Sequence, residues 1–126
     1  MVASNVPEEV RRFLLGAIPS VPHLEALLLL HADPARGWDA PGLGARLYLD
    51  AGRAGQLLAD LARAGLAVVT AGSFRFAPSE ASLVAVVDAV ARTYGRHLVE
   101  VAELIHAARD RKAQRFADAF LLRKDP

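Results

Sequence analysis

The sequence predicts a mainly α fold with a small β-hairpin. Three observations lead there. Apolar residues recur at helical spacing along most of the chain. Capping residues, glycines and prolines cut that pattern into helix-length pieces. One stretch, residues 66–77, instead carries β-branched and alternating aromatic residues around a tight-turn dipeptide. The 126 residues, 53% of them hydrophobic and 23% charged, hold enough apolar surface for a core and exclude a largely disordered chain.

The elements follow in order. Asn5 with Glu8 reads as a capping box opening a helix over Val6–Ala17, closed by Gly16 and Pro19. Ser20 caps a second helix over Val21–Ala32, whose Leu24, Leu27, Leu28 and Leu30 form a broad apolar face. Asp33-Pro34 ends it. After a loop, Asp39 caps a short helix over Ala40–Tyr48, with Trp38 placed to staple its start. Gly42 and Gly44 weaken that helix, so packing must hold it. Asp50 caps a fourth helix over Ala51–Ala64, with Leu57, Leu58 and Leu61 as its apolar stripe and Gly65 at the C′ position. Leu66–Thr70 and Ser73–Ala77 are the strands, and Ala71-Gly72 is the turn; Phe74 and Phe76 share one face.

A long helix is then expected over Glu80–Ala108. Leu83, Val87, Val90, Tyr94, His97, Val101 and Leu104 recur at alternating spacings of four and three, a heptad seam suited to pairing two copies of the chain. Such a helix would be roughly 40 Å long, more than a chain of this size readily covers alone. Arg109-Asp110-Arg111-Lys112 reads as a charged break. A last amphipathic helix follows, with Phe116 and Phe120 placed to pack on the dimer or on a protein partner. Phe13, Leu14, Leu28, Trp38 and Leu47 are assigned to the core.

The stretch WDAPGLGARLYLDAGRAGQLLADLARAGLAVVTAGSFRFAP, residues 38–78, resembles the winged helix-turn-helix domain of bacterial MarR/PadR-type regulators. The resemblance implies a support helix (40–48), a recognition helix (51–64) and a wing (66–77). It implies a winged domain over residues 1–78 and a dimerisation helix with a terminal amphipathic helix over 79–126. It also implies a homodimeric transcriptional regulator reading an inverted repeat in double-stranded DNA, with no cofactor. Arg53 and Gln56 would then meet base edges, since Arg pairs guanine and Gln pairs adenine. Arg46 and Tyr48, at the end of the support helix and the turn, would contact the backbone, Arg75 points outward on the wing, and Arg63 and Arg36 are further DNA-binding candidates.

The residues themselves leave an alternative open. Fifteen Lys and Arg against fourteen Asp and Glu give a net charge of only +1, so charge alone does not make this a nucleic-acid coat. Ala51, Gly52, Ala54 and Gly55 leave the fourth helix bare at its start, and Asp50 and Asp60 oppose its arginines. A winged module that binds another protein instead of DNA fits the same pattern.

The remaining chemistry is sparse. No cysteine is present, which excludes disulfides, thiolate metal sites and thiol nucleophiles. His97, Glu100, Glu103 and His106 step around a helix and cannot converge on one metal ion. The glycines lack a phosphate-loop context, and no serine has the setting of a nucleophile, so no enzyme is expected. The longest apolar run, Ala26–Leu30, is far too short for a membrane span, and a cytoplasmic protein is expected.

Overall fold

The computed structural model describes the backbone of residues 5–124 and the side chains of residues 5–120. Among them it holds α1 (Glu8–Ala17), α2 (Val21–Ala32), α3 (Ala40–Leu47), α4 (Ala51–Arg63), β1 (Ala67–Thr70), β2 (Ser73–Phe76), α5 (Ala81–Arg96) and α6 (Leu98–Lys124). This is a mainly helical fold with one two-stranded antiparallel sheet.

Three of the four expected N-caps form. Ser20 accepts from the His23 N–H, Asp39 from Gly42 and Asp50 from Arg53, each satisfying a donor that a helix start leaves unpaired. The fourth does not. α1 begins after Pro7 with no side-chain cap, and Asn5 instead donates to the Glu100 carboxylate of α6 at 3.1 Å. Pro7 is well suited to a helix start because its missing N–H is not needed there.

Gly44 explains the weak composition of α3. A Cβ at this position would stand 2.5 Å from the Leu49 carbonyl oxygen. The chain turns sharply here: Tyr48 is left-handed (φ 60°), and the Leu49 N–H returns to the Gly44 carbonyl at 2.9 Å. Gly65, at φ 78°, ends α4 in the same manner, with the Leu66 N–H reaching the Leu61 carbonyl at 3.0 Å.

β1 and β2 pair from Ala67↔Phe76 to Thr70↔Ser73. Their turn residues Ala71 and Gly72 both have positive φ, the geometry whose twist matches two strands joined by two residues. Trp38 adds a third rung, exchanging both backbone hydrogen bonds with Phe74 at 2.8 Å. This anchors the hairpin to the segment before α3.

The predicted long helix is two helices. The break falls at His97, not at Arg109–Lys112. His97 leaves the helical region (φ −134°, ψ 50°); its N–H closes α5 on the Thr93 carbonyl and its own carbonyl accepts from Val101. Its Nδ1 lies 3.2 Å from Glu100 Oε1. The charged run does not interrupt α6, because Arg and Lys are good helix formers. The separate terminal helix is therefore the continuation of α6.

The bend also places much of the expected dimer seam inside one chain. Val87, Val90 and Val101 are buried within one chain, and Leu83, Tyr94 and Leu104 pack half-buried against the same core; His97 occupies the bend. A heptad seam presumes one straight helix, whereas here its two halves close around α1. Ile105, which the seam omits, is also buried. One cluster joins Val10 and Leu14 of α1 to Leu57, Leu58 and Leu61 of α4 and to Val87 and Ile105, so the core runs across residue 78. The residues assigned to the core from sequence all lie in this cluster or against it.

Two stability tests follow. Ile105→Ala should lower the unfolding free energy by about 2–5 kcal/mol. In urea titrations that loss should be the same at low and high protein concentration, since the contact lies within one chain. Gly44→Ala should destabilise by about 1–3 kcal/mol although alanine is the better helix former, because its methyl meets a carbonyl.

Candidate nucleic-acid interface

α4 presents Arg53, Gln56, Asp60 and Arg63 along the side away from Leu57, Leu58 and Leu61. Their three–four–three spacing keeps them on one helix face. Arg53, Gln56 and Arg63 are exposed. Asp60 organises this stripe: its Oδ1 accepts from Gln56 at 3.0 Å and also from the Arg63 guanidinium. Its other oxygen meets His23 Nε2 at 2.8 Å. Gln56 and Arg63 are therefore held by a carboxylate, and Arg53 is the stripe's cation without an ion pair among the described residues.

His23 was not singled out from sequence. It is buried on the first turn of α2, and its Nδ1 lies 2.5 Å from Ser20 Oγ. With Nε2 protonated, the imidazole accepts from the Ser20 hydroxyl and donates to Asp60. This Ser–His–Asp chain is structural in form: the serine oxygen is buried and also caps α2. It fixes the start of α2 to the last turn of α4. A second pair, His31 Nε2 to Asp88 Oδ1 at 2.7 Å, ties α2 to α5, while the His31 ring stands edge-on to Phe76 at 5.3 Å. Neither pairing was visible in sequence, because 37 and 57 residues separate the partners.

Arg36 and Arg75 form a separate basic place beside the hairpin. The Arg36 guanidinium stacks on the Trp38 ring at 3.7 Å. A Cβ on the neighbouring Gly37 would lie 3.9 Å from Arg75 Cγ. Arg75 is exposed, and its cross-strand partner is Val68. Arg46, also exposed, borders a different hollow with Glu25 and Tyr94, so it is not part of the α4 stripe. Tyr48 is 94% exposed at the α3–α4 turn.

The His23 hydrogen bond holds the Asp60 carboxyl below its ordinary value of 3.8; partial burial opposes this, and Gln56 and Arg63 reinforce it. The Glu100 carboxyl is lowered as well, chiefly by Asn5. Among the described residues, no three His, Asp or Glu side chains come together to hold a metal ion, and no single helix is long and apolar enough to cross a membrane.

No family model, curated protein or solved structure matches the chain.

The Asp60 hub carries a pH signature. A carboxylate lowered on folding stabilises above its ordinary pKa and loses that contribution as pH falls through the folded value, here below about pH 4. Asp60→Asn should cost about 1 kcal/mol at neutral pH. The melting-temperature gap from wild type should close as the pH is lowered from 5 towards 2, as read by circular dichroism.

Proposed function

We propose that this chain is a DNA-binding transcriptional regulator whose α4 enters the major groove and whose β1–β2 hairpin serves as a wing. The observation that carries the reading is the unit formed by α3, the tight turn at Tyr48–Asp50, and α4 with Arg53 and Gln56 exposed at its start. The hairpin, pinned to Trp38, keeps Arg75 exposed beside this unit. A helix in the groove and a basic strand on the adjacent backbone are the two parts a winged helix-turn-helix uses.

In this reading Arg53 and Gln56 meet base edges, and Arg63, Arg75, Arg36 and Tyr48 meet phosphates. Engagement would require Gln56 and Arg63 to exchange Asp60 for DNA. That exchange adds specificity, because a wrong sequence does not repay the lost hydrogen bonds. Arg46 would contact the backbone only from outside the α4 stripe. Two copies would read an inverted repeat. Their pairing would use exposed apolar residues such as Leu98 and Val99, because the heptad valines are spent in the core.

A second reading, a winged module that binds a protein, is favoured by Phe116, which is 75% exposed on the outer part of α6. One experiment separates the two. Fluorescence anisotropy with duplexes selected from a random library should give sequence-dependent, salt-sensitive binding. Arg53→Ala and Gln56→Ala should each weaken the selected duplex by about 1–3 kcal/mol, while Arg75→Ala weakens all duplexes alike. Absence of duplex binding at low salt would favour the protein-binding module.

A further inference from the structure

The start of α4 does not face open solvent alone. A cavity of about 230 Å³ lies between the α1–α2 elbow, the first turn of α4 and the middle of α6. Arg53, Arg109 and Lys112 line it, together with the buried Ser20 and His23. A second hollow adjoins it along α6, sharing Leu15, Ala108 and Lys112 and adding Arg111 and Arg115. Five cations thus line one continuous depression, and neither hollow has an Asp or Glu in its lining. None of the five forms an ion pair among the described residues, unlike Arg12 and Arg63. All five are exposed.

Unpaired like charges gathered in one depression repel each other, and an anion relieves that repulsion. Four of the five lie on α6 between residues 109 and 115, opposed on that segment by Asp110 alone. That segment rises about 9 Å along the helix axis. Charges distributed over such a length suit a polymer of phosphates better than one small anion, since a DNA strand carries a phosphate every 3.4 Å of its axis.

We propose that α6 is part of the nucleic-acid interface, with Arg109, Arg111, Lys112 and Arg115 holding the phosphate backbone that runs past Arg53. This rests on the reading of α4 as the groove-entering helix and extends it. The sparse basic charge of α4 and the hairpin is then supplemented from a helix that a winged domain ending at residue 78 would not include. These contacts are to phosphate, so they add affinity and position without reading sequence.

The test is a combined variant, Arg109→Gln, Arg111→Gln, Lys112→Gln and Arg115→Gln. Glutamine preserves helix propensity, and the side chains are exposed, so circular dichroism and the melting temperature should match wild type. Duplex binding is followed by anisotropy over a range of potassium chloride concentrations. The expected result is at least about a tenfold loss of affinity, equal for selected and random duplexes, with the slope of log affinity against log salt shallower by about 2–4. Unchanged affinity and slope in a variant of a protein that does bind DNA would overturn this proposal and leave the α4 reading standing. Failure of the wild-type protein to bind any duplex would overturn both. Inorganic phosphate supplies the remaining arm. Displacement of duplex no better than by chloride at equal ionic strength supports a backbone site. Saturable displacement by phosphate would mark a small-anion pocket and overturn the proposal.

Discussion

The arrangement of this chain depends on the helix break at His97. Its backbone serves two helices at once: the N–H ends α5 on Thr93 and the carbonyl begins α6 with Val101. Because the chain bends there, Val101 and Ile105 return to α1 and complete the core that Val87 and Val90 begin. The side chain reinforces the bend through Glu100, which also receives Asn5 from the start of the chain. A single straight helix would have left one half of these apolar residues in water. The hydrophobic effect favours the bend because burying each such side chain contributes about 1.5–3 kcal/mol, whereas each of the helical hydrogen bonds that Leu98, Val99 and Glu100 give up at the break is worth about 0.5–1.5 kcal/mol.

A second constraint aligns the surface. Asp60 sits at the crossing of α2 and α4 and divides its oxygens, one toward the buried His23 and one toward Gln56 and Arg63. The same carboxylate thus holds two helices in register and sets where two exposed polar side chains rest. Stability and the chemistry of the α4 face are coupled through one residue. Arg53 stands outside this hub and faces the cationic depression shared with α6. The exposed polar surface of α4 is therefore part restrained and part open.

Much of the architecture was legible because its causes are local. Ser20, Asp39 and Asp50 cap helices through bonds to N–H groups three residues on, and Ala71-Gly72 turns within itself. The failures also have local reasons. The capping box at Asn5 competed with a distant carboxylate, and the charged run at Arg109–Lys112 was read as a stop although its residues favour helix. The heptad pattern was real but ambiguous. A seam of alternating spacing looks the same whether it meets a second chain or, after a bend, the chain's own first helix. Gly95 and His97, both weak helix formers, were the signal that could have favoured the second outcome.

By itself the sequence determined the helix boundaries from Ser20 to residue 64 to within a residue, the hairpin with its two-residue turn, and the apolar faces of α2 and α4. Those follow from capping, turn chemistry and apolar period, which act over a few residues. Tertiary structure alone decided that α5 and α6 fold around α1, that His23 and His31 find Asp60 and Asp88, and that α6 brings its cations beside Arg53. Each of these depends on which elements pack together, and packing is chosen by the total apolar area buried across the whole chain.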